Sequence, residues 1–190
     1  MAADYKFCTV WRVAGTVAEV RDVLADGRSL PRWWPAVYLS VDTVRDGDET
    51  GRGAELLLFT KGWLPYTLRW TLCIAEPITD AGFTLSATGD LNGTGRWTFT
   101  QDGPEAVITY DWRVSASKPL LRRLTWLLRP MFTANHHWAM ARGEESLRLE
   151  LRRRRTTFES ERRRIPPPPA PTFRWLIGRR HACAEPRARP

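Results

Sequence analysis

The sequence predicts an α+β fold in which a curved antiparallel sheet of about seven strands wraps around one long C-terminal helix. Between residues 37 and 115, apolar and polar side chains alternate in short segments separated by turn residues, as expected of an antiparallel sheet with one covered face. From Pro119 to about Arg153, apolar side chains recur every three or four residues, which is typical of an amphipathic helix. We expect a small-molecule cavity between the two.

One strand and two short helices are expected before the main part of the sheet. Residues 5–13 alternate with a period of two, which predicts a first strand. Thr16 and Glu19 have the spacing of a capping box, so a helix is expected to begin after Thr16. A second short helix should end at Pro35, because proline cannot continue a helix.

Six further strands are predicted as a meander, and one face of several of them is strongly aromatic. Tyr66, Trp70, Trp97, Tyr110 and Trp112 all lie on that face, whereas their neighbours along the chain are polar. The alternation indicates one dry and one wet side of the sheet. The predicted strands cover residues 37–46, 53–61, 65–76, 83–90, 93–101 and 106–115.

The long helix needs a partner surface of matching size. Pro119 suits its first position, where a missing N–H has no cost. The apolar face that follows includes Met131, Phe132, Asn135 and Trp138. The aromatic face of the sheet is the one surface in the sequence large enough to cover it, so the two are expected to pack together.

The basic charge of the chain lies at its C-terminal end. Residues 152–190 contain twelve arginines and three acidic residues, a net charge of +9, so residues 1–151 sum to −1 of the total of +8. A nearly neutral body is not that of a domain that grips nucleic acid through its whole surface. We predict a folded domain over residues 1–153 and an Arg/Pro-rich, mostly disordered tail over residues 154–190.

Cysteine usage and the N-terminus predict a cytoplasmic protein. Cys8, Cys73 and Cys183 are an odd number at wide spacing, without the paired spacing of a disulfide framework or a metal site. The first residues show no basic segment followed by an apolar run. No stretch approaches the roughly 20 apolar residues of a membrane span.

Several segments resemble the START-like (SRPBCC) superfamily. Residues 17–24 and Trp33-Trp34-Pro35 are similar to its early helices. Residues 89–97, Tyr110-Asp111-Trp112 and residues 135–140 resemble the branch called polyketide cyclase/dehydrase-like. The resemblance implies a helix-grip (START-like, Bet v 1-like) fold.

The resemblance covers about residues 4–153 and implies a hydrophobic ligand held between the sheet and the long helix. It does not imply a reaction, because the family includes ligand carriers as well as aromatic-ring cyclases. The predicted ligand-binding residues are Trp70, Leu72, Leu85, Trp97, Phe99, Tyr110 and Trp112 on the sheet, and Met131, Asn135 and Trp138 on the helix.

Two glycines within the sixth predicted strand have two interpretations. Gly93 and Gly95 share the strand face of Trp97. Their missing side chains either leave room for a ligand or allow a ring or another backbone to approach closely. We favour close packing.

No group of residues forms a catalytic motif, and the candidates are single side chains: Tyr110, Asn135 and His136. Asn135 needs a hydrogen-bond partner on its apolar face, and that partner is either a ligand oxygen or a backbone group. His136 and His137 point about 100° apart on a helix, so they cannot converge on one ion. We therefore expect no metal and no other cofactor.

The favoured hypothesis is a binding module for an apolar or aromatic small molecule, with no evident catalysis. The first alternative is a polyketide cyclase/dehydratase-type enzyme that uses neither a metal nor a nucleotide cofactor. The second is a lipid carrier that the basic tail docks to anionic membranes. No specific nucleic-acid partner is expected, and the sequence leaves the oligomeric state open.

Overall fold

A computed structural model describes residues 4–116 and 125–173, and in it seven strands form one antiparallel sheet. The first strand lies at one edge beside the last, and the second lies at the opposite edge. The chain then returns strand by strand. The strands are β1 (Asp4–Ala14), β2 (Tyr38–Arg45), β3 (Glu55–Lys61), β4 (Thr67–Ile74), β5 (Gly82–Gly89), β6 (Leu91–Asp102) and β7 (Glu105–Ala116), in the spatial order β1-β7-β6-β5-β4-β3-β2.

Short helices connect the two edges of the sheet, and a long helix follows it. The predicted capping box is present, since Thr16 and Glu19 exchange hydrogen bonds at the start of the first helix. The helices are α1 (Val17–Ala25), α2 (Leu30–Trp33), α3 (Thr125–Arg155) and α4 (Glu159–Arg162), with a 3₁₀ turn at Gly27–Ser29 before α2.

The predicted α+β helix-grip fold is confirmed. Each predicted strand has an observed counterpart, and the boundaries differ by a few residues. The long helix extends two residues beyond the predicted end at Arg153. Its predicted start, at residues 119–124, lies outside the described residues.

The core lies between α1, α2, α3 and the inner face of the sheet. Trp11, Trp33 and Leu147 are among its fully buried side chains. Gly143 of α3 allows a close approach, because a Cβ atom there would lie 2.6 Å from Cε2 of Trp34. The indole of Trp34 therefore fills the place of a side chain on the helix.

Ion pairs fix the C-terminal half of α3 to the first helices. Glu150 is only 1% exposed and accepts hydrogen bonds from Arg32 at 2.7 and 2.9 Å and from Arg154 at 2.8 Å. Arg155 donates to Glu19 at 2.6 and 2.8 Å. Hydrogen bonds from Arg155 and from the Thr16 backbone lower the pKa of Glu19 to about 2.

The chain after α3 turns back along the domain. Arg153 donates a hydrogen bond to the carbonyl of Pro166. At the far end of this segment, Thr172 contacts the turn that joins β3 to β4. The tail was predicted to begin at residue 154. Of its residues, 154–173 are described and make the contacts given above, whereas residues 174–190 lie outside the described part. The division into a ligand-binding domain and a disordered tail stays a prediction.

Candidate functional site

A cavity of about 500 Å³ lies between the inner face of the sheet and α3. Most of its wall is apolar. The polar lining residues include Asn135 of α3, beside Gly62 of the β3–β4 turn, and Asp26 and Arg28 in the turn before α2. The sheet contributes Leu56, Leu72, Leu85, Trp97, Tyr110, Trp112 and Val114, and α3 contributes Phe132, Asn135, His136, Ala139 and Met140.

Stacked aromatic rings form the main wall. The rings of Trp97 and Tyr110 lie 4.0 Å apart with a 20° angle between their planes, and those of Tyr110 and Trp112 lie 5.7 Å apart at 19°. Trp70 extends the row, 6.0 Å from Trp112, and its indole N–H donates to Thr60 Oγ1 at 3.0 Å. Aromatic rings in such offset stacks provide a flat apolar surface.

Close packing explains both glycines of β6. A Cβ atom at Gly95 would lie 2.6 Å from the Tyr110 hydroxyl and 2.9 Å from the Trp112 ring, so these two side chains occupy the space. At Gly93 a Cβ atom would overlap the backbone of β7 next to Val114. Neither glycine therefore leaves room for a ligand at its own position.

Tyr110 is a neutral hydrogen-bonding group at physiological pH. Burial of its phenol raises the pKa well above the ordinary value, and the nearby Tyr38 raises it further. Burial also raises the pKa of Tyr38. Both phenols line the cavity, so they can donate or accept hydrogen bonds there but hold their protons firmly.

The amide of Asn135 is part of the structure and also faces the cavity. Its Oδ1 accepts a hydrogen bond from the Leu64 backbone N–H at 3.2 Å. A Cβ atom at Gly62 would overlap this amide, so the missing side chain at Gly62 allows α3 to approach the β3–β4 turn. Asn135 Nδ2 donates no hydrogen bond within the described residues. Of the two predicted partners for the Asn135 amide, the backbone group is therefore present. The Nδ2 amino group remains free to bind a ligand.

His136 places a neutral imidazole at the cavity wall. Its ring stacks on Phe7 with the centroids 3.9 Å apart and the planes 14° apart. Burial, together with the positive charge of His137 when protonated, lowers the pKa of His136 to about 4. Its Nε2 atom is buried and has no hydrogen-bond partner among the described residues. His137, by contrast, is exposed.

Lys61 is a cavity residue that the sequence did not indicate. It is the last residue of β3 and only 4% exposed. Its Nζ donates to the backbone carbonyl of Thr172 and to Thr172 Oγ1 at 2.9 Å, and it lies 5.2 Å from the Phe173 ring centroid. Burial lowers the pKa of Lys61.

Seven of the ten predicted ligand-binding residues line the cavity, and three do not. Phe99 lies in the core, where its ring meets that of Phe83 at 6.1 Å. Met131 and Trp138 lie on the flanks of the helix face that covers the cavity. The residues that line it are Trp70, Leu72, Leu85, Trp97, Tyr110, Trp112 and Asn135; their role in binding stays a prediction.

Several lining residues were not predicted, because their apolar pattern in the sequence is the same as that of residues in a solid core. Tyr38 and Leu56 are examples. The segment Trp33-Trp34-Pro35 was a signal in the sequence, because such a bulky corner can border an opening, and Trp34 does line the cavity. Among the described residues, no group of three or more His, Cys, Asp or Glu side chains is placed to hold a metal ion.

Solved structures share this fold at low sequence identity. The ZhuI aromatase/cyclase from Streptomyces sp. R1128 matches with a TM-score of 0.63 at 16% identity, covering 82% of this chain and 98% of that one. A START superfamily protein from Mycobacterium smegmatis matches with a TM-score of 0.56 at 15% identity, covering 71% and 93%. Norcoclaurine synthase from Thalictrum flavum, in complex with dopamine and hydroxybenzaldehyde, matches with a TM-score of 0.55 at 13% identity, covering 83% and 91%.

These likenesses show a common fold, and the sequence itself shows the family. No curated protein matches the chain. The sequence profile described as "Polyketide cyclase / dehydrase and lipid transport" matches residues 6–152. This range contains the sheet without the first two residues of β1, and α3 without its last three residues. The chain therefore belongs to the polyketide cyclase/dehydrase and lipid transport family.

Proposed function

We propose that this protein binds a hydrophobic or aromatic small molecule in the cavity between the sheet and α3. The observation that supports this most directly is the row of rings formed by Trp97, Tyr110 and Trp112 along one wall of a cavity of about 500 Å³. Pockets of this size with apolar walls and a few polar groups are typical of small-molecule sites. Dopamine and hydroxybenzaldehyde, the two molecules in the norcoclaurine synthase complex, are both aromatic and are consistent with this class of ligand.

Apolar burial provides the main favourable contribution to binding. A ligand that buries roughly 300 Å² of apolar surface gains about 7 kcal/mol at 25 cal/mol per Å². The loss of translational and rotational freedom removes part of this gain. Dissociation constants in the micromolar range or below are then expected when the ring stack and the polar lining residues add specific contacts.

Filling the cavity tests the proposal. Leu72 lines the cavity, whereas the adjacent Thr71 lies on the other face of β4. We expect Leu72→Trp to abolish the binding of a polycyclic aromatic probe such as 2-(hydroxymethyl)anthracene, measured by probe fluorescence. Thr71→Trp, which adds the same ring outside the cavity, should leave binding unchanged. Equal binding by both variants, each shown to be folded by circular dichroism, would rule out the cavity as the site.

A polyketide cyclase/dehydratase reaction is the second candidate. It is favoured by the family and by one feature of the site: the unpaired Nε2 of His136, which is neutral at physiological pH and can accept a proton from a bound ligand. Turnover of a poly-β-ketone by the protein, lost in His136→Phe, would support an enzyme. Unchanged turnover in that variant would exclude His136 as the base.

Other predictions concern the surroundings of the protein. No helix in the described part of the chain has the length and apolar character needed to cross a bilayer. Cytoplasmic location and docking to anionic membranes through the basic tail stay predictions. Part of the tail, residues 174–190, lies outside the described residues. Vesicle binding that disappears when residues 155–190 are removed would support the lipid carrier.

A further inference from the structure

The exposed part of the cavity wall is confined to two segments of the chain. Most of the described residues that line the cavity are buried or half-buried, and the exposed ones lie around the C-terminal ends of α1 and β2. They are Ala25, Asp26, Arg28, Thr43, Arg45 and Asp46. Within the described wall, the cavity therefore reaches the surface between residues 25–28 and residues 43–46.

This gap lies where the sheet ends. In the described sheet, β2 is an edge strand with β3 as its neighbour, so its other edge is not covered by a strand. The turn after α1 lies beside this edge. Its Gly27 approaches Leu56 of β3 closely, since a Cβ atom at position 27 would lie 2.5 Å from Leu56 Cδ1. Leu56 also lines the cavity, so a flexible apolar side chain covers the inner side of the gap.

An ion pair spans the outer side of the gap. The Arg28 guanidinium donates a hydrogen bond to the Asp46 carboxylate and so connects the two segments. The Arg28 and Asp46 side chains are 64% and 79% exposed. Because water and salt screen the attraction between charges this exposed, little free energy is needed to separate them. The two segments are therefore held together across the gap by a contact that breaks readily.

We propose that this gap is the entrance through which the ligand reaches the cavity, and that the Arg28–Asp46 ion pair is its gate. The proposal rests on the proposed function and adds the route by which the ligand enters and leaves. Opening requires the ion pair to separate and the Leu56 side chain to move aside, and both changes leave the ring stack and α3 in place. A gate that is closed in the free and in the bound protein changes the rates of binding and release by the same factor and leaves the dissociation constant unchanged.

Charge reversal tests the gate on the full-length protein, with 2-(hydroxymethyl)anthracene as the probe and stopped-flow fluorescence as the measurement. We expect Asp46→Lys to raise both the association and the dissociation rate constant about two- to fivefold, since a factor of five corresponds to about 1 kcal/mol, the upper contribution of an exposed ion pair. Addition of Arg28→Glu restores two opposite charges and should return both rate constants toward those of the wild type. Asp80→Lys is the matched control, because it breaks the ion pair of Arg21 with the β4–β5 turn and does not alter the cavity wall. It should leave both rate constants unchanged.

Ionic strength provides a second test of the gate. Raising the salt concentration from about 0.05 M to about 0.5 M should accelerate exchange of the probe in the wild type, because the attraction of Arg28 for Asp46 is screened. The same change should slow exchange in Asp46→Lys, because there a repulsion is screened. An equal response of both proteins to salt would contradict a gate that depends on this ion pair.

A bulky side chain tests the entrance itself. Thr43 lines the cavity, whereas the adjacent Val44 is 59% exposed and lies outside the cavity wall. Thr43→Trp should lower both rate constants at least about threefold, because the ring narrows the passage, and Val44→Trp should leave them unchanged.

The outcomes separate this proposal from the proposed function. In variants shown to be folded by circular dichroism, unchanged rate constants in Asp46→Lys would overturn the gate, and unchanged rate constants in Thr43→Trp would overturn the entrance. In either case, binding of the probe by the wild type leaves the proposed function intact. Failure of the wild type to bind the probe would count against both the proposed function and this inference.

Discussion

The two halves of α3 pack differently against the rest of the domain. Toward the C-terminus, Ser146, Leu147, Glu150 and Leu151 are all buried, and arginines hold the buried carboxylate on two sides. Toward the N-terminus, Met140 is the one buried residue between positions 131 and 140. The helix face that would be buried in a solid core instead lines the cavity there. One helix thus combines an anchored half with a half that covers an open space.

The same contrast separates the two most buried charged side chains of the described residues. Glu150 is 1% exposed and has two arginine partners, whereas Lys61 is 4% exposed and has neutral partners. A buried charge with opposite charges around it fixes elements relative to one another, and a buried charge without them is costly to the free protein. The anchored half is therefore expected to determine stability, and the cavity half to determine what binds.

The largest expected effect is a core truncation in the anchored half. Leu147→Ala should lower the free energy of unfolding by about 4 kcal/mol, because the side chain is fully buried and leaves a void. Phe132→Ala, on the partly buried cavity half, should cost less than about 2 kcal/mol although it removes more atoms. Denaturant unfolding followed by tryptophan fluorescence measures both. Equal losses would mean that the two halves of α3 are anchored alike.

Acidification should lower the free energy of unfolding through His136, which lies in the cavity half of α3. Its pKa is about 4 in the folded protein and about 6.5 in an unfolded chain. Between these pH values the unfolded state binds a proton more readily, so stability is complete above pH 6.5 and falls as the pH drops toward 4. The loss attributable to this group approaches about 3 kcal/mol at pH 4.

Comparison with His136→Phe isolates this part of the pH dependence. The variant keeps a ring to stack on Phe7 and cannot be protonated. Its unfolding free energy should fall less steeply than that of the wild type between pH 6.5 and 4, and NMR titration of the wild-type ring should give a midpoint near 4. Identical pH profiles would show that the imidazole is not desolvated.

The elements of the fold could be predicted because each depends on local chemistry. Alternation along β6 and β7 sent Trp97 and Tyr110 inward and Arg96 outward, as observed, and the Thr16–Glu19 spacing correctly indicated a capped helix. The site was harder, because the apolar face of α3 is wider than the strip over the cavity. Residues 132, 135, 136, 139 and 140 form that strip, so Met131 and Trp138, on its borders, were assigned to the wall by their apolar character alone.

Lys61 shows a second limit of sequence reasoning. Alternation along β3 makes Thr60 an inner residue and its neighbour an outer one, so nothing local indicated a buried lysine. Its burial depends on the return of residues 166–173 to the β3–β4 turn, through Thr172 and Phe173. The proline-rich composition of that segment indicated disorder, and a contact more than 100 residues away in sequence has no local signal.

Removal of the Glu150 carboxylate from the anchored half should have an intermediate effect on the free energy of unfolding. Burial raises the pKa of Glu150, but hydrogen bonds from Arg32 and Arg154 outweigh this and lower it below its ordinary value. Glu150→Gln should cost about 2 kcal/mol at pH 7, because two guanidinium groups lose their anion; both are partly exposed, which limits the loss.

The pH dependence provides the control for Glu150→Gln. The stabilisation from a carboxylate with a lowered pKa is present above the unfolded value of about 4.5 and is lost as the pH falls through the folded value. The stability difference between wild type and Glu150→Gln should therefore shrink as the pH falls below 4.5. A constant difference between the two proteins down to pH 2 would mean that the variant is destabilised by altered packing rather than by the missing charge.

The smallest expected effect has the opposite sign. Lys61→Met should raise the free energy of unfolding by about 1 kcal/mol at pH 7, because it replaces a buried ammonium that has no carboxylate partner with an apolar side chain of similar length. Burial lowers the pKa of Lys61, so the protonated lysine opposes folding, and the gain should shrink as the pH rises toward 10.5 and the unfolded lysine also loses its proton. Lys6→Met, at an exposed position, should change stability by less than about 0.5 kcal/mol.

If Lys61→Met instead destabilised the protein as Glu150→Gln does, the contacts with Thr172 and Phe173 would be sufficient to compensate the ammonium. Lys61 would then stabilise the packing of residues 166–173 against the β3–β4 turn, as Arg32 and Arg154 stabilise the packing of α3. Buried charges would then stabilise the fold at both ends of the helix.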